Sequence, residues 1–182
     1  MKILGLNYFS HDAAAAIIID GKIITAVEEE RFNREKHTKL FPFNAIQYCL
    51  DTTGLEISEL DRVAFFIKPS LHYNLFVNTI ICDLPKSLLY IPQAVKLIRK
   101  RYNMLAPLRE YFKDKKLPLF EYVPHHIAHA ASCFYPSPFE DAAILTIDGR
   151  GESETIAIFS TEGNLIKKRS NVNYPHSLGY LY

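Results

Sequence analysis

Cysteine, net charge and long apolar runs are all scarce in this sequence, and each scarcity argues against a class of protein. The 182 residues include three cysteines, an odd number at widely spaced positions. This count argues against a disulfide framework and favours a reducing cytoplasm. The formal net charge is only +1, so we expect no broad positive field that would attract nucleic acid or an anionic membrane.

No run of about eighteen uninterrupted apolar residues occurs, so we expect no membrane-spanning helix. The most apolar segment, residues 74–95, is broken by Asp83 and by two prolines, and it is predicted to be buried helix and loop. The apolar run after Lys2 is unlike a secretory signal, because Asn7 and His11 interrupt it. We therefore predict a cytoplasmic protein.

The pattern of apolar residues and turns predicts an α/β chain that begins with three antiparallel strands. These strands are expected at 2–9, 13–20 and 22–30, with a tight turn at Asp20-Gly21 between the last two. The remaining expected elements are a helix at 41–54 ending on Gly54, a strand at 61–68, helices with proline interruptions over 70–115, a strand at 119–124, a helix at 126–135, and strands at 141–148, 154–160 and 164–170.

Two parts of the chain share one pattern of strand, polar turn, apolar strand, acidic-Gly turn and strand. The first part begins at Ile3 and the second at Ile144, a spacing near 141 residues. Such a repeat predicts two similar sheet units. Ser177 is a candidate helix N-cap, but Tyr182 follows before a helix could form. We therefore expect a fragment of a longer protein in which the second unit is only begun.

The expected domain division follows from this repeat. Residues 1–140 form the first unit, which includes the helical region at about 70–115 as an insertion and also the histidine-bearing helix. Residues 141–182 begin the second unit.

Three histidines within five residues precede a strand that ends on an acid. His125 and His129 are one helical turn apart, so their side chains share a helix face with Cβ atoms about 5–6 Å apart. Asp148 ends the following strand and could complete a 2-His-1-carboxylate set, which suits divalent iron, manganese or zinc and leaves positions open. The alternative is a solvated helix start followed by an ordinary Asp-Gly turn. The presence of all the groups together favours the metal site.

Two further turns could bind an anion. Gly149 and Gly151 allow positive φ in the turn 148–153, so that successive backbone N–H groups could cradle phosphate. The matching turn at 7–13 could act in the same way, and a facing pair of such turns would hold a nucleotide. A plain hairpin turn is the alternative for either one taken alone.

The mixed-charge segment 28–37 and Cys133 each have a structural explanation as well as a functional one. The segment is either a solvated face or the source of a cation for a phosphate, supplied by Arg31, Arg34 or Lys36.

Cys133 lies in an Ala-rich stretch and is predicted to pack in the core.

Several segments together resemble the N-terminal part of the nodulation- and antibiotic-type O-carbamoyltransferases. They are HDAAAAIIIDGKIITAVEEERFNREKH, HHIAHAASCFYPSPFEDAAILTIDGRGE and YPHSLGYLY, which keep the order and spacing of that family. The resemblance implies an actin-like ATPase (ribonuclease H-like) fold of two duplicated lobes, similar to the proteins of tRNA threonylcarbamoyl-adenosine synthesis. In this chain the first lobe would be complete and the second only begun.

The resemblance also implies a reaction. In the family a separate C-terminal domain makes carbamoyl-adenylate from carbamoyl phosphate and ATP. The N-terminal domain passes the carbamoyl group to an acceptor hydroxyl, with iron (Fe²⁺) bound nearby.

Site residues follow from the same resemblance. The implied metal ligands are His125, His129 and Asp148, and the implied catalytic residues are His11 and Lys36. The two candidate anion-binding turns, and not the resemblance, give the expected cofactor contacts, which are Asp12, Gly149 and Gly151.

Two other functions stay open at this point. One is a non-catalytic fragment that needs a partner chain, which could be the missing C-terminal half or a second copy of this chain. The other is a metal-dependent ATPase domain that resembles the threonylcarbamoyl transferases.

The 182 residues alone are expected to be inactive. The expected partners are carbamoyl phosphate and a hydroxyl acceptor, with neither nucleic acid nor membrane.

Overall fold

Within residues 1–82 and 84–181, which the computed structural model describes apart from the side chains of residues 74, 75, 78, 79 and 82, the strands form two sheets. The strands are β1 (Lys2–Asn7), β2 (Ala14–Ile19), β3 (Lys22–Glu28), β4 (Arg62–Phe65), β5 (Leu119–Tyr122), β6 (Ala143–Ile147), β7 (Glu154–Glu162) and β8 (Leu165–Asn173). The helices are α1 (Glu30–Asn33), α2 (Phe43–Thr53), α3 (Pro69–Cys82), α4 (Ile91–Tyr102), α5 (Ala106–Tyr111) and α6 (His125–Phe134), with short 3-10 helices at Ile57–Glu59 and Lys86–Tyr90.

The first compact unit comprises Met1–Phe66 and Lys100–Tyr122. Its sheet has the order β3-β2-β1-β4-β5, in which β1, β2 and β3 are antiparallel and β4 and β5 run parallel to β1. Alternate residues such as Leu4, Ile17 and Val63 are fully buried, as the two-residue period of a half-covered strand requires. Helix α2 packs on β2 and β3.

Two local features of this unit bear on the sequence predictions. The backbone N–H of Gly54 bonds the carbonyls at the end of α2, and its φ of 65° is the left-handed value expected of a helix stop. The strand predicted over 22–30 is shorter than expected, because the chain turns into α1 after Glu28. The buried carboxylate of Glu29 accepts the backbone N–H of Ala45 at 2.8 Å, which connects the chain after β3 to the start of α2.

The second compact unit comprises Ile67–Arg99 and Val123–Tyr182. Its sheet is an antiparallel meander in the order β6-β7-β8. The apolar face of α6, formed by Ala130 and Phe134, packs against Ile144, Ala157 and Phe159 of this sheet. The histidine helix therefore contacts the second sheet, whereas the sequence division placed it in the first domain, and the lobe boundary at residue 140 stays a prediction.

Each unit contains a three-stranded antiparallel meander, β1-β2-β3 in the first and β6-β7-β8 in the second, and the first strands of the two meanders contain Ile3 and Ile144 of the sequence repeat. The described residues after β8 form turns and no helix. Within these turns the Ser177 hydroxyl accepts the backbone N–H of Tyr180 at 3.2 Å. The sequence arguments that used Asp83 and Tyr182 concern positions outside the described residues.

Two predictions about burial are wrong. Leu84, Leu88, Leu89 and Tyr90 are all more than half exposed, so much of the segment expected to be buried is not. Cys133 is also exposed. Its position on α6 is one residue from Phe134, about 100° around the helix from the face that meets the sheet. None of the described helices has both the length and the apolar character needed to cross a membrane.

Candidate metal centre

The buried His126 fixes the register of α6 on the sheet. Its Nδ1 lies 2.7 Å from Thr146 Oγ1 on β6, and its Nε2 lies 3.0 Å from the Glu154 carbonyl oxygen on β7. Burial is the main cause that lowers the pKa of this imidazole. Because each ring nitrogen has a partner on a different strand, His126 joins α6 to β6 and β7. This contact orients the part of α6 that carries His125 and His129 toward the end of β6.

The side chains of His125, His129 and Asp148 converge at that end. His125 Nε2 lies 2.5 Å from Asp148 Oδ2 and 3.0 Å from His129 Nε2. The remaining separation, from His129 Nε2 to Asp148 Oδ2, is 3.6 Å. The structure thus brings together all three side chains that the sequence pattern predicted as metal ligands. The side chain of His125 is largely covered and that of His129 is half exposed, and their metal-binding role stays a prediction.

The spacing of these three atoms fits a divalent ion. The circle through them has a radius of about 1.8 Å, whereas metal bonds to imidazole nitrogen and carboxylate oxygen are about 2.0–2.2 Å. The three side chains would therefore be able to hold one divalent ion together. Two imidazoles and one carboxylate in this facial arrangement suit iron, manganese or zinc.

The electrostatics of Asp148 favour a ligand that is permanently ionised. Hydrogen bonds from His125 and then from His129 hold the pKa of the Asp148 carboxyl well below its usual range. The second oxygen accepts the backbone N–H of Gly149 at 2.6 Å. One oxygen is thereby anchored to the backbone, while the other faces the two imidazoles.

Helix α6 has no side-chain cap of its own, and the buried Glu152 takes that place. Its carboxylate accepts the backbone N–H of His125, with both oxygens at 3.1 Å, and the backbone N–H of Lys68 at 2.8 Å. A negative charge at a helix N-terminus satisfies free N–H groups and interacts favourably with the helix dipole. Glu152 therefore fixes the backbone of His125, the first candidate ligand.

The two glycines of the 148–153 turn are explained by neighbouring side chains that leave little room for a Cβ. The expectation of positive φ at Gly149 and Gly151 is wrong, since among the described glycines only Gly21, Gly54 and Gly163 have it. A Cβ on Gly151 would lie 3.1 Å from ring carbons of both His125 and His126, and a Cβ on Gly149 would lie 3.0 Å from the Tyr180 ring. Their glycine character lets other side chains approach the turn closely.

Substituting Gly151→Ala tests this close approach. We expect the new methyl group to displace the His125 ring and to weaken Fe²⁺ or Zn²⁺ binding about tenfold, as for other residues that support ligands. Isothermal titration calorimetry of the metal-free chain provides the measurement. Gly149→Ala is the matched control, because the atoms nearest to its methyl group belong to the exposed ring of Tyr180 and not to a histidine. Equal affinity in the two variants would contradict the steric argument.

The predicted catalytic residues His11 and Lys36 lie in the first unit. His11 Nδ1 is 2.7 Å from Asp12 Oδ2, on the turn after β1. Lys36 lies in an exposed turn beside His37, and it is His37 whose Nδ1 reaches Asp12 Oδ1, at 2.8 Å. Asp12, predicted to contact a cofactor, thus bonds an imidazole through each oxygen.

Sequence reasoning missed three residues that shape these sites: His126, Glu152 and His37. The signal for His126 was its place between two predicted ligands on one helix. Glu152 ends the DGRGE motif but was given no role, because only its tertiary contact shows what it does. His37 follows the predicted Lys36 directly.

The chain is thus a mixed α/β protein with a candidate 2-His-1-carboxylate site between a helix and a strand end. It belongs to the family of carbamoyltransferase N-terminal domains, whose model matches residues 2–182. The resemblance inferred from the motifs is confirmed.

Among curated proteins, the chain is 40% identical over 188 residues to the uncharacterized protein sll1178 of Synechocystis, covering 99% of this chain and 30% of that protein. It is 36% identical over 178 residues to the nodulation protein NolNO of Sinorhizobium fredii, covering 97% of this chain and 25% of that protein. The chain therefore spans less than a third of the length of these relatives.

Among solved structures, the chain is similar to an uncharacterized protein of Pseudomonas aeruginosa with similarity to peptidase YEAZ. The TM-score is 0.49 at 15% sequence identity, covering 96% of this chain and 66% of the other.

Proposed function

We propose that this chain is the metal-binding and carbamoyl-transferring part of an O-carbamoyltransferase. Membership of the carbamoyltransferase N-terminal family supports the reaction class. The single observation that carries the proposal is the convergence of His125 Nε2, His129 Nε2 and Asp148 Oδ2 around one point.

These residues would hold a divalent ion, with Fe²⁺ favoured. The ion would supply Lewis-acid polarisation and a template for the carbamoyl donor. Asp148 contributes a carboxylate that stays ionised, and Glu152 holds the helix end that carries His125.

His11 would act as the general base for the acceptor. Its Nδ1 bonds the Asp12 carboxylate, so its Nε2 carries the lone pair that takes the proton of the acceptor hydroxyl. The acceptor oxygen then forms its bond to the carbamoyl carbon, and the bond from that carbon to the adenylate phosphate oxygen breaks, releasing AMP. Lys36 would offset the negative charge of that phosphate.

The proposed scaffold is the actin-like lobe. A three-stranded antiparallel meander continued by the parallel strands β4 and β5 supports this fold for the first unit. ATP and carbamoyl phosphate would be consumed in a separate domain of a longer protein. A near-neutral net charge of +1 counts against tRNA as the acceptor.

A chimera tests the proposal. This chain is fused to the remaining C-terminal part of the Synechocystis relative and supplied with ATP, labelled carbamoyl phosphate, Fe²⁺ and a panel of hydroxyl compounds. We expect carbamoylated product from the unmodified chimera. The His125→Ala chimera should still release pyrophosphate from ATP but lose transfer by at least about a hundredfold. Equal transfer by both chimeras would contradict the role given to the metal centre.

A further inference from the structure

One carboxylate in the first unit lies between two imidazoles. Asp12 Oδ2 is 2.7 Å from His11 Nδ1, and Asp12 Oδ1 is 2.8 Å from His37 Nδ1. The two histidines are separated by the whole of β2, β3 and α1. Both contacts use Nδ1, so neither Nε2 takes part in the cluster.

The backbone adopts costly conformations to form this cluster. Phe9, Asp12 and His37 have φ values of 91°, 53° and 55°, in the left-handed region that is uncommon for residues with a Cβ, although Asp and His enter it more often than most. Such residues persist only where the surrounding structure imposes them, and they concentrate at functional sites.

Neighbouring bonds hold the two turns in place. Asn7 Nδ2 donates to the Asp12 carbonyl oxygen at 2.8 Å, the backbone N–H of Ala13 bonds the Thr38 carbonyl at 3.0 Å, and the backbone N–H of His37 donates to Glu30 Oε2 at 3.2 Å. The turn after β1 and the turn after α1 are therefore joined by the backbone as well as by Asp12.

Stability does not account for the arrangement. The side chains of His11 and His37 are 69% and 77% exposed, and exposed pairs of this kind contribute little to folding. A strained, solvent-facing network that presents two ring nitrogens is better explained by the chemistry of those rings.

We propose that His37 is a positioning residue for His11, acting through their shared carboxylate. By donating from Nδ1 to Asp12 Oδ1, His37 fixes the rotation of that carboxylate so that Oδ2 faces His11 Nδ1. His11 is thereby held as the Nδ1–H tautomer with its Nε2 lone pair directed outward, the form that a general base requires. The catalytic use of this tautomer rests on the proposed function, whereas the tautomer itself does not.

Nitrogen NMR of the histidine-labelled chain tests the proposal at alkaline pH, where unperturbed imidazoles are neutral. We expect His11 to be the Nδ1–H tautomer in the unmodified chain and to revert mainly to the Nε2–H tautomer in His37→Ala. His37→Asn should restore the Nδ1–H form of His11, because the Asn amide keeps an N–H donor near the position of the replaced His37 Nδ1. His176→Ala is the matched control and should leave the His11 signals unchanged.

Activity gives an independent readout in the chimera described above. His37→Ala should lower kcat for transfer about tenfold or more, with KM for the acceptor unchanged, and His37→Asn should recover most of the loss. An unchanged His11 tautomer in a folded His37→Ala chain would overturn the inference, and so would failure of His37→Asn to restore it. If the tautomer depends on His37 but no carbamoyl transfer occurs, the proposed function fails and the positioning role stands.

Discussion

Replacing Asp148 by Asn is expected to lower the affinity of the chain for Fe²⁺ or Zn²⁺ by at least about a hundredfold. The amide has nearly the same shape but carries no charge, and an amide nitrogen placed toward the imidazoles cannot bind a cation. The Asp148 carboxylate is held at both oxygens, because one accepts the Gly149 N–H and the other lies 2.5 Å from His125 Nε2. Calorimetric titration and metal analysis of the purified chain provide the measurement.

Asp141→Asn is the matched control for this experiment. Asp141 precedes β6, whereas Asp148 follows it, so the same loss of charge is made near the same strand but away from the histidines. The control should bind metal with unchanged affinity and stoichiometry. Undiminished metal binding by Asp148→Asn would show that the three converging side chains are an ion-pair cluster with no metal role.

The convergence of the three candidate ligands was largely predictable from sequence, because it depends on local periodicity. Helical spacing alone places His125 and His129 on one face, and an acid at the end of the next strand is a natural partner. The sequence could not show what aligns the helix with that strand. His126 does so through Thr146 on β6 and Glu154 on β7, two positions that come close only when these strands form a sheet.

The glycines illustrate a limit of sequence reasoning. A turn can require glycine because the backbone has a positive φ or because another group lies too close for a side chain. Both requirements select glycine, so the sequence does not distinguish them. In the 148–153 turn the second applies, because the rings of His125 and His126 occupy the space beside Gly151. The contact joins residues about 25 positions apart, so no local pattern could reveal it.

The mixed-charge segment shows the same limit of sequence reasoning at the cluster of His11, Asp12 and His37. Alternating acids and bases at 28–37 suggested either a solvated face or a cation for phosphate, with Lys36 favoured by the family resemblance. The left-handed backbone at His37 accompanies the bond from its ring to Asp12. A positive φ at a histidine has no sequence signature, so the pairing of His37 with His11 emerges only from the structure.

Replacing Glu152 by Gln should affect stability and metal binding together. Glu152 is 3% exposed and accepts backbone N–H groups from Lys68 and His125. An amide has only one acceptor oxygen and adds two donors that face existing donors, so at least one buried N–H loses its partner. Hydrogen bonds to a charged group contribute about 1.5–3 kcal/mol, and we expect the free energy of unfolding to fall by about 2 kcal/mol.

The same substitution should weaken metal affinity about tenfold, because the first turn of α6 loses the group that holds the His125 backbone. Urea unfolding and calorimetric metal titration measure the two effects on one preparation. Glu162→Gln is the matched control: its side chain is exposed and pairs with Lys167 and Arg169 at the surface, so its unfolding free energy should change by less than about 0.5 kcal/mol. If Glu152→Gln unfolds at the same urea concentration as the control, the buried carboxylate does not stabilise the start of α6. If it is destabilised but binds metal normally, Glu152 stabilises the fold and has no part in orienting His125.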